Sequence, residues 1–233
     1  MLAFNRHCLL ALAIVPLLSL GVGCSHGSDS TTDTDFGNND PSIVVALGDS
    51  ITFGYGDSYV YSCSESYRGS IGFCPRLAGL TGKTVINEGR CGETSGEGLD
   101  RINRVLQRWR PGVVLLDYSP NDIYNGTTDV IRNLRGMIAI ARANKTIPVL
   151  GTLVPEVGEH AGWEGFVVPL NAQILALCEE EGLQCADHHT AFATDPGFIA
   201  SPYTLLSPDG EHPNAAGYEL MAETWRMPLM RVY

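Results

Sequence analysis

Short apolar runs recur along the chain without alternating. Val44-Val45-Ala46-Leu47 leads into Gly48-Asp49-Ser50, and further runs follow at Thr84-Val85-Ile86-Asn87, Val113-Val114-Leu115-Leu116-Asp117-Tyr118 and Ile147-Pro148-Val149-Leu150-Gly151. A strand with one wet face alternates apolar and polar residues, whereas a strand covered on both faces reads as a continuous apolar run. These four segments therefore predict buried strands. Helical stretches lie between them, over residues 96–109, 128–143 and 166–181, and a last helix is predicted over about 214–230. Strand and helix in alternation specify a parallel sheet with helices on both faces, an α/β sandwich of three layers. No internal repeat or second boundary interrupts the pattern, so residues 41–233 are expected to form one domain.

The first residues follow another pattern. Arg6 and His7 precede an apolar run over 8–20, broken by Pro16 and followed by the small residues Gly21-Val22-Gly23 and then Cys24. That is the pattern of a secretory signal, and the run is shorter than the roughly 20 apolar residues of a membrane span. Cysteine directly after a small-residue cleavage site resembles the lipobox of bacterial lipoproteins, although Leu20 sits one place earlier than the usual leucine. The expectation is a signal peptide over 1–23 and an exported, cell-envelope protein. Membrane contact would come only through a lipid on Cys24, with plain secretion or a soluble periplasmic protein as the alternative. Residues 24–40 are almost all Ser, Thr, Asp, Asn, Gly and His, with Phe36 alone able to join a core, and are expected to be a flexible acidic tether, a short arm docked through Phe36 being the alternative.

Composition narrows the choices. With 44% hydrophobic and 18% charged residues, the 233-residue chain belongs to the soluble globular class and can bury one sizeable core. A formal net charge of −11 excludes a phosphate-tracking surface, so nucleic acid is not an expected partner. Of seven cysteines, Cys8 leaves with the signal and Cys24 is the lipid site. Export makes disulfides plausible. The expected pairs are Cys63–Cys74, closing a Ser/Tyr/Gly-rich loop, and Cys178–Cys185, tying a helix end to the following strand, with Cys91 free.

Candidate chemistry sits where the strands end. Ser50 would stand at the carboxyl end of the first strand, the edge where open α/β sheets bind ligands. A serine hydroxyl is a weak nucleophile and needs a base, a group to orient that base, and donors for an oxyanion. The loop 87–95 is punctuated by Gly89 and Gly92, and an amide such as that of Gly92 can donate to an anion with no side chain in the way. Asn121 follows the third strand with an amide donor. Asp209 and His212 are three residues apart across a Gly turn, close enough for one loop to present a base and the carboxylate that holds its ring.

Together, Gly48-Asp49-Ser50, Asn87-x-Gly89-x-x-Gly92, Asn121-Asp122 and Asp209-x-x-His212 resemble the four blocks of the SGNH, or GDSL-type, hydrolases, from about residue 43 onward. The resemblance implies a flavodoxin-like sheet of about five parallel strands, with Ser50 as nucleophile, His212 as base and Asp209 orienting it. It also implies an oxyanion hole from the Ser50 N–H, the Gly92 N–H and the Asn121 side chain. Where that family commonly has Gly before x-Asn-Asp, this chain has Ser119-Pro120, and it lacks the Gly-x-Ser-x-Gly of the nucleophile elbow.

The implied activity is acyl ester hydrolysis through an acyl-enzyme, of carboxylesterase, lysophospholipase or thioesterase type, with no cofactor or metal. Carbohydrate O-acetyl ester hydrolysis is an alternative, and a non-catalytic surface lipoprotein that binds glycan or lipid is another. Asp187-His188-His189 is the one place to look for a metal. The segment 57–73, with Tyr59, Tyr61 and Tyr67, is expected to border the substrate pocket.

Overall fold

The computed structural model describes residues 34–118 and 120–233. The expected signal, Cys24, most of the expected tether and Ser119 lie outside the described residues. Five strands form one parallel sheet: β1 (Asp40–Gly48), β2 (Thr84–Gly89), β3 (Pro111–Asp117), β4 (Ile147–Gly151) and β5 (Cys185–Ala186). The helices are α1 (Ser50–Phe53), α2 (Phe73–Thr81), α3 (Ser95–Trp109), α4 (Pro120–Tyr124), α5 (Val130–Ala143), α6 (Glu164–Glu181), α7 (His188–Ala193), α8 (Pro196–Ala200) and α9 (Ala215–Val232).

Strand order is β2-β1-β3-β4-β5, with Val44 of β1 opposite Val85 on one side and Val113 on the other. The chain moves outward from β1 to β2 and then returns to the far side of β1, so the loops after β1 and β3 diverge. A reversal of this kind opens a crevice at the carboxyl ends of the strands.

The unalternated strands divide their side chains between two cores, since successive residues point to opposite faces. Val44 and Ala46 pack with Phe73 and Leu77 of α2 and Met221 and Trp225 of α9. Val45 and Leu47 face Ile102 and Leu106 of α3, Leu134 and Met137 of α5 and Ile174 of α6. The three-layer reading holds, and the long helices start and stop within about two residues of expectation. Local chemistry explains α3: Thr94 and Glu97 form a capping box, each side chain taking the other's backbone N–H.

Three expectations need correction. Cys63 pairs with Cys91, Cα atoms 6.3 Å apart, and not with Cys74. Among the described residues Cys74, not Cys91, is the free thiol, fully buried on the core face of α2 beside Phe73 and Leu77, where burial pushes its pKa far above the ordinary thiol value. A side chain turned into that core cannot reach the exposed loop that carries Cys63. Cys178 and Cys185 do pair, joining the end of α6 to β5.

The domain begins before the expected boundary at residue 41. The last residues of the expected tether, 35–40, are docked on it: Phe36 stacks on Tyr233 with centroids 6.2 Å apart, and the Asn39 side chain donates to the Asn144 carbonyl at 2.7 Å. Asp35 pairs with Lys145 at 2.5 Å, and Asp40 is already part of β1. One aromatic ring and a few polar anchors suffice to order this short stretch.

The three side chains of Asp187-His188-His189 also diverge. Asp187 caps α7, His188 is fully buried against Trp225 with its pKa pressed down to about 3 by burial, and His189 bonds the Glu164 carboxylate at 2.7 Å. They do not converge on one point.

Candidate active site

The crevice after β1 is shaped by close backbone packing. A Cβ at Gly48 would stand 2.3 Å from the Asp117 carbonyl, so only glycine lets β1 and β3 end this tightly. Asp49 follows, and its Oδ1 accepts from the Ile51 N–H at 2.9 Å, capping the four-residue helix α1 whose first residue is Ser50. Gly54, at φ 107°, stops α1 and turns the chain toward Tyr55 and Gly56.

The loop between α8 and α9 comes back to meet it. Asp209 accepts at Oδ1 from the Ser207 hydroxyl (2.7 Å) and from the backbone N–H groups of Glu211 and His212 (both 3.0 Å). Its other oxygen lies 3.0 Å from His212 Nδ1. Burial pushes the Asp209 pKa up, but hydrogen bonds from His212, Ser207 and the Glu211 backbone outweigh it and hold the carboxyl well below the usual range, so it is ionised. Gly210 accepts from the Val157 N–H at 2.9 Å, which fixes the turn to the segment after β4. Beside that segment Glu156 is pushed up to about 8, first by burial, and accepts from the Tyr124 hydroxyl at 2.7 Å.

The two loops meet at one hydrogen bond. Ser50 Oγ lies 2.8 Å from His212 Nε2, although the residues are 162 positions apart, and they are only 9% and 8% exposed. Tyr55 packs its ring on the imidazole, centroids 4.6 Å apart, and Gly56 backs against His212 Cβ. Carboxylate, imidazole and hydroxyl are thus in line. With the Nδ1 proton on the ring and donated to Asp209, Nε2 is left to accept from Ser50, the arrangement that general-base activation of a hydroxyl requires.

The other two sequence-identified residues flank the serine. The Asn121 Nδ2 donates to the Glu93 carbonyl at 3.1 Å and approaches Asp49 Oδ2 at 3.4 Å, linking the residue after Gly92 to the residue before Ser50. Gly92 sits at φ 78°, and no described atom lies within 4 Å of where its Cβ would be, so its backbone is open to a ligand. The loop is rigid beneath it. Buried Arg101 holds the Glu93 carboxylate through two donors at 2.6 and 2.5 Å and the Glu88 carbonyl at 2.6 Å, and the Tyr118 hydroxyl donates to Glu93 at 2.7 Å. Asp122 accepts from the Ser95 N–H and hydroxyl at 2.8 and 2.7 Å, tying α4 to the start of α3.

Several features of this site carry no motif. Asp49 belongs to the Gly48-Asp49-Ser50 block, but the motif does not show that burial and then the neighbouring Asp117 raise its pKa well above the ordinary carboxylate value. Ser207, Tyr55 and Arg101 act through other side chains, and nothing in their local sequence marks them. Cys91 also belongs here: its bond to Cys63 fastens the 57–73 segment to the loop residue next to Gly92. Arg68 of the same segment donates to the Gly89 carbonyl at 2.6 Å.

Comparison with known proteins agrees with this geometry. The GDSL-like Lipase/Acylhydrolase family model matches residues 46–220, from β1 into α9. A multidomain esterase of Ruminococcus flavefaciens is 27% identical over 218 residues, 78% of this chain. The chain spans only 28% of that esterase's length. Among solved structures, a lipase/acylhydrolase from Enterococcus faecalis superposes with a TM-score of 0.64 at 27% identity, covering 81% of this chain and 96% of that one. An acetyl xylan esterase from Geobacillus stearothermophilus shares the fold, with a TM-score of 0.66 at 18% identity over 82% of this chain and 95% of that one. A sheet, a crevice and a match that runs through both halves of the site make this chain a member of the GDSL-like lipase/acylhydrolase family, the family of ester-bond hydrolases.

Proposed function

We propose that the protein is a serine-dependent acyl ester hydrolase with Ser50 as nucleophile, His212 as general base and Asp209 as the carboxylate that orients the ring. The observation that carries this reading is the continuous contact from Ser50 Oγ to His212 Nε2 (2.8 Å) and from His212 Nδ1 to Asp209 (3.0 Å). His212 takes the Ser50 proton as the oxygen attacks the ester carbonyl. The Ser50 N–H, the Gly92 N–H and the Asn121 side chain stabilise the oxyanion, with one Asn121 N–H turning from the Glu93 carbonyl or Asp49 toward it. His212 then passes the proton to the departing alcohol, leaving an acyl-serine. Water, deprotonated by the same imidazole, attacks the acyl group and releases the acid.

A serine-directed fluorophosphonate tests the assignment. It is expected to add once, at Ser50, with activity on p-nitrophenyl acetate falling in step with the adduct measured by peptide mass spectrometry. Full labelling elsewhere, with Ser50 unmodified, would move the nucleophile.

We further propose that the protein is exported and held at the cell envelope by a lipid on Cys24. The apolar run over 8–20 with its small residues before Cys24 supports this. So do the two disulfides, which are characteristic of oxidising compartments.

The Cys63–Cys91 bond has a catalytic consequence within this reading. It anchors the residue next to Gly92, so its loss lets the oxyanion loop drift, and small misplacements of a donor cost rate more than binding. Cys63→Ser/Cys91→Ser is expected to lower kcat for p-nitrophenyl acetate about tenfold, with KM little changed. Cys178→Ser/Cys185→Ser, at the far edge of the sheet, serves as the control. Equal kcat values for the two double variants would show that the clamp has no special effect on the site.

A further inference from the structure

A cavity of about 520 Å³ opens beside the catalytic loop, within the roughly 300–1,000 Å³ typical of small-ligand sites. Its wall is shared with the site just described. Gly56 and Ser207 line it, and a Cβ at Gly56 would stand 3.0 Å from His212 Cβ and 3.2 Å from Ser207 Oγ. The cavity therefore adjoins the loop that carries His212.

Tyr59, Tyr61 and Tyr203 border this cavity and are 84%, 43% and 48% exposed. Tyr61 meets Tyr55 edge-on at 5.7 Å, and Tyr55 is the ring packed on His212, so aromatic contact runs from the rim to the base. Tyr59 is held there against its backbone preference. Ser58 and Tyr59 have φ of 51° and 65°, the left-handed region, and neither is glycine. Such conformations cost of order 1 kcal/mol or more each and persist only where the surroundings impose them. Here they raise a tyrosine almost wholly into solvent, where its ring contributes little to the core.

The chemistry of the lining selects the ligand class. No Lys, Arg, Asp, Glu or His borders the cavity, and the chain as a whole is acidic, so a phosphate-bearing headgroup finds no counter-charge. An acyl chain calls for an enclosed apolar channel, whereas this open surface sets exposed phenol rings and the apolar Leu206, Pro208, Ala215 and Ala216 beside the hydroxyls of Ser58 and Thr204. Flat apolar faces edged with hydroxyls match a neutral pyranose, whose C–H face lies on an aromatic ring while its own hydroxyls remain at the polar edge.

We propose that this tyrosine-bordered cavity is a saccharide subsite, which holds the sugar part of a carbohydrate ester while its acyl carbonyl lies at Ser50. The inference rests on the ester-hydrolase reading for its role but not for its binding chemistry, and the two are tested apart. Binding of unmodified xylotetraose and cellotetraose to the full chain is measured by isothermal titration calorimetry; neither sugar carries an ester, so the measurement is independent of turnover. Saturable binding of one of them is expected, weakened about tenfold by Tyr59→Ala and preserved by Tyr59→Phe. The mostly exposed position of Tyr59 makes either variant compatible with folding. In turnover, kcat/KM on the O-acetylated form of the sugar that binds, divided by kcat/KM on p-nitrophenyl acetate, is expected to fall about tenfold in Tyr59→Ala through KM. Absence of binding by both sugars, or an unchanged ratio in Tyr59→Ala, overturns the subsite. Sugar binding with the expected Tyr59 dependence but no ester turnover upholds the subsite and removes the esterase reading instead.

Discussion

Alanine at position 50 is expected to lower kcat for p-nitrophenyl acetate by at least about four orders of magnitude, and alanine at position 212 by a similar factor. The double variant should fall no further. In the proposed mechanism the hydroxyl and the imidazole act in one event, because the oxygen attacks as the ring takes its proton, so removing either partner leaves the other with nothing to do. The surroundings offer no substitute. Thr52 Oγ1 points to Asp117 at 3.3 Å, and the Ser207 hydroxyl is spent on Asp209, so neither faces His212 Nε2. What remains in all three variants is the residual rate of oxyanion donors and substrate binding acting on bulk water. Steady-state rates for the two single variants and the double variant decide the matter: losses that multiply would mean that Ser50 and His212 contribute independently, and the proposed proton transfer between them would have to be abandoned.

That dependence on one contact shows what sequence patterns can reach. Continuous apolar runs specified β1, β3 and β4 because burial on both faces leaves no room for polar residues. Helix ends were legible where capping chemistry is local, as with Thr94 and Glu97. The fifth strand, Cys185–Ala186, has only two residues, too few for any period, and only the expected bridge to Cys178 hinted at it. The 57–73 segment resisted reading for another reason. Its glycines, serines and tyrosines carry no repeat, and α2, which follows it, buries Phe73, Cys74 and Leu77 together, which turns Cys74 into the core.

The site divides in the same way. Ser50, Asn121, Asp209 and His212 were marked by motif, and folding brings Ser50 to His212 and Asn121 to Asp49 and Glu93. The burial of Asp49 beside Asp117, the Ser207 bond to Asp209, the Tyr55 ring on His212 and the Cys63–Cys91 clamp are set by the folded arrangement of the loops. A chain read in one dimension does not contain that arrangement, and the Cys63–Cys74 pairing failed for that reason while the short-range Cys178–Cys185 pairing held.

Asparagine at position 209 is the second substitution expected to have a large effect, lowering kcat by about 10⁴-fold while the fold is kept. Asp209 is ionised and takes His212 Nδ1 at 3.0 Å, so the ring carries its proton on that nitrogen and presents a lone pair to Ser50. An amide is nearly the same size and can satisfy Ser207 and the backbone donors through its oxygen. Turned that way, its NH₂ faces Nδ1, favours the tautomer protonated on Nε2, and leaves no acceptor for the serine proton. Folding stability gives an independent signature. Because the Asp209 pKa is lowered in the folded state, its carboxylate contributes stability that is fully present above the unfolded value of about 3.9 and is lost as pH falls through the folded value. The asparagine variant lacks that titration, so its thermal midpoint should decline less steeply than wild type as pH drops below about 4. If Asp209→Asn keeps kcat within about tenfold of wild type while its acid dependence changes as expected, Asp209 braces the loop and another group orients His212. Glu211, whose carboxylate lies 3.8 Å from the same ring nitrogen, is then the first residue to replace.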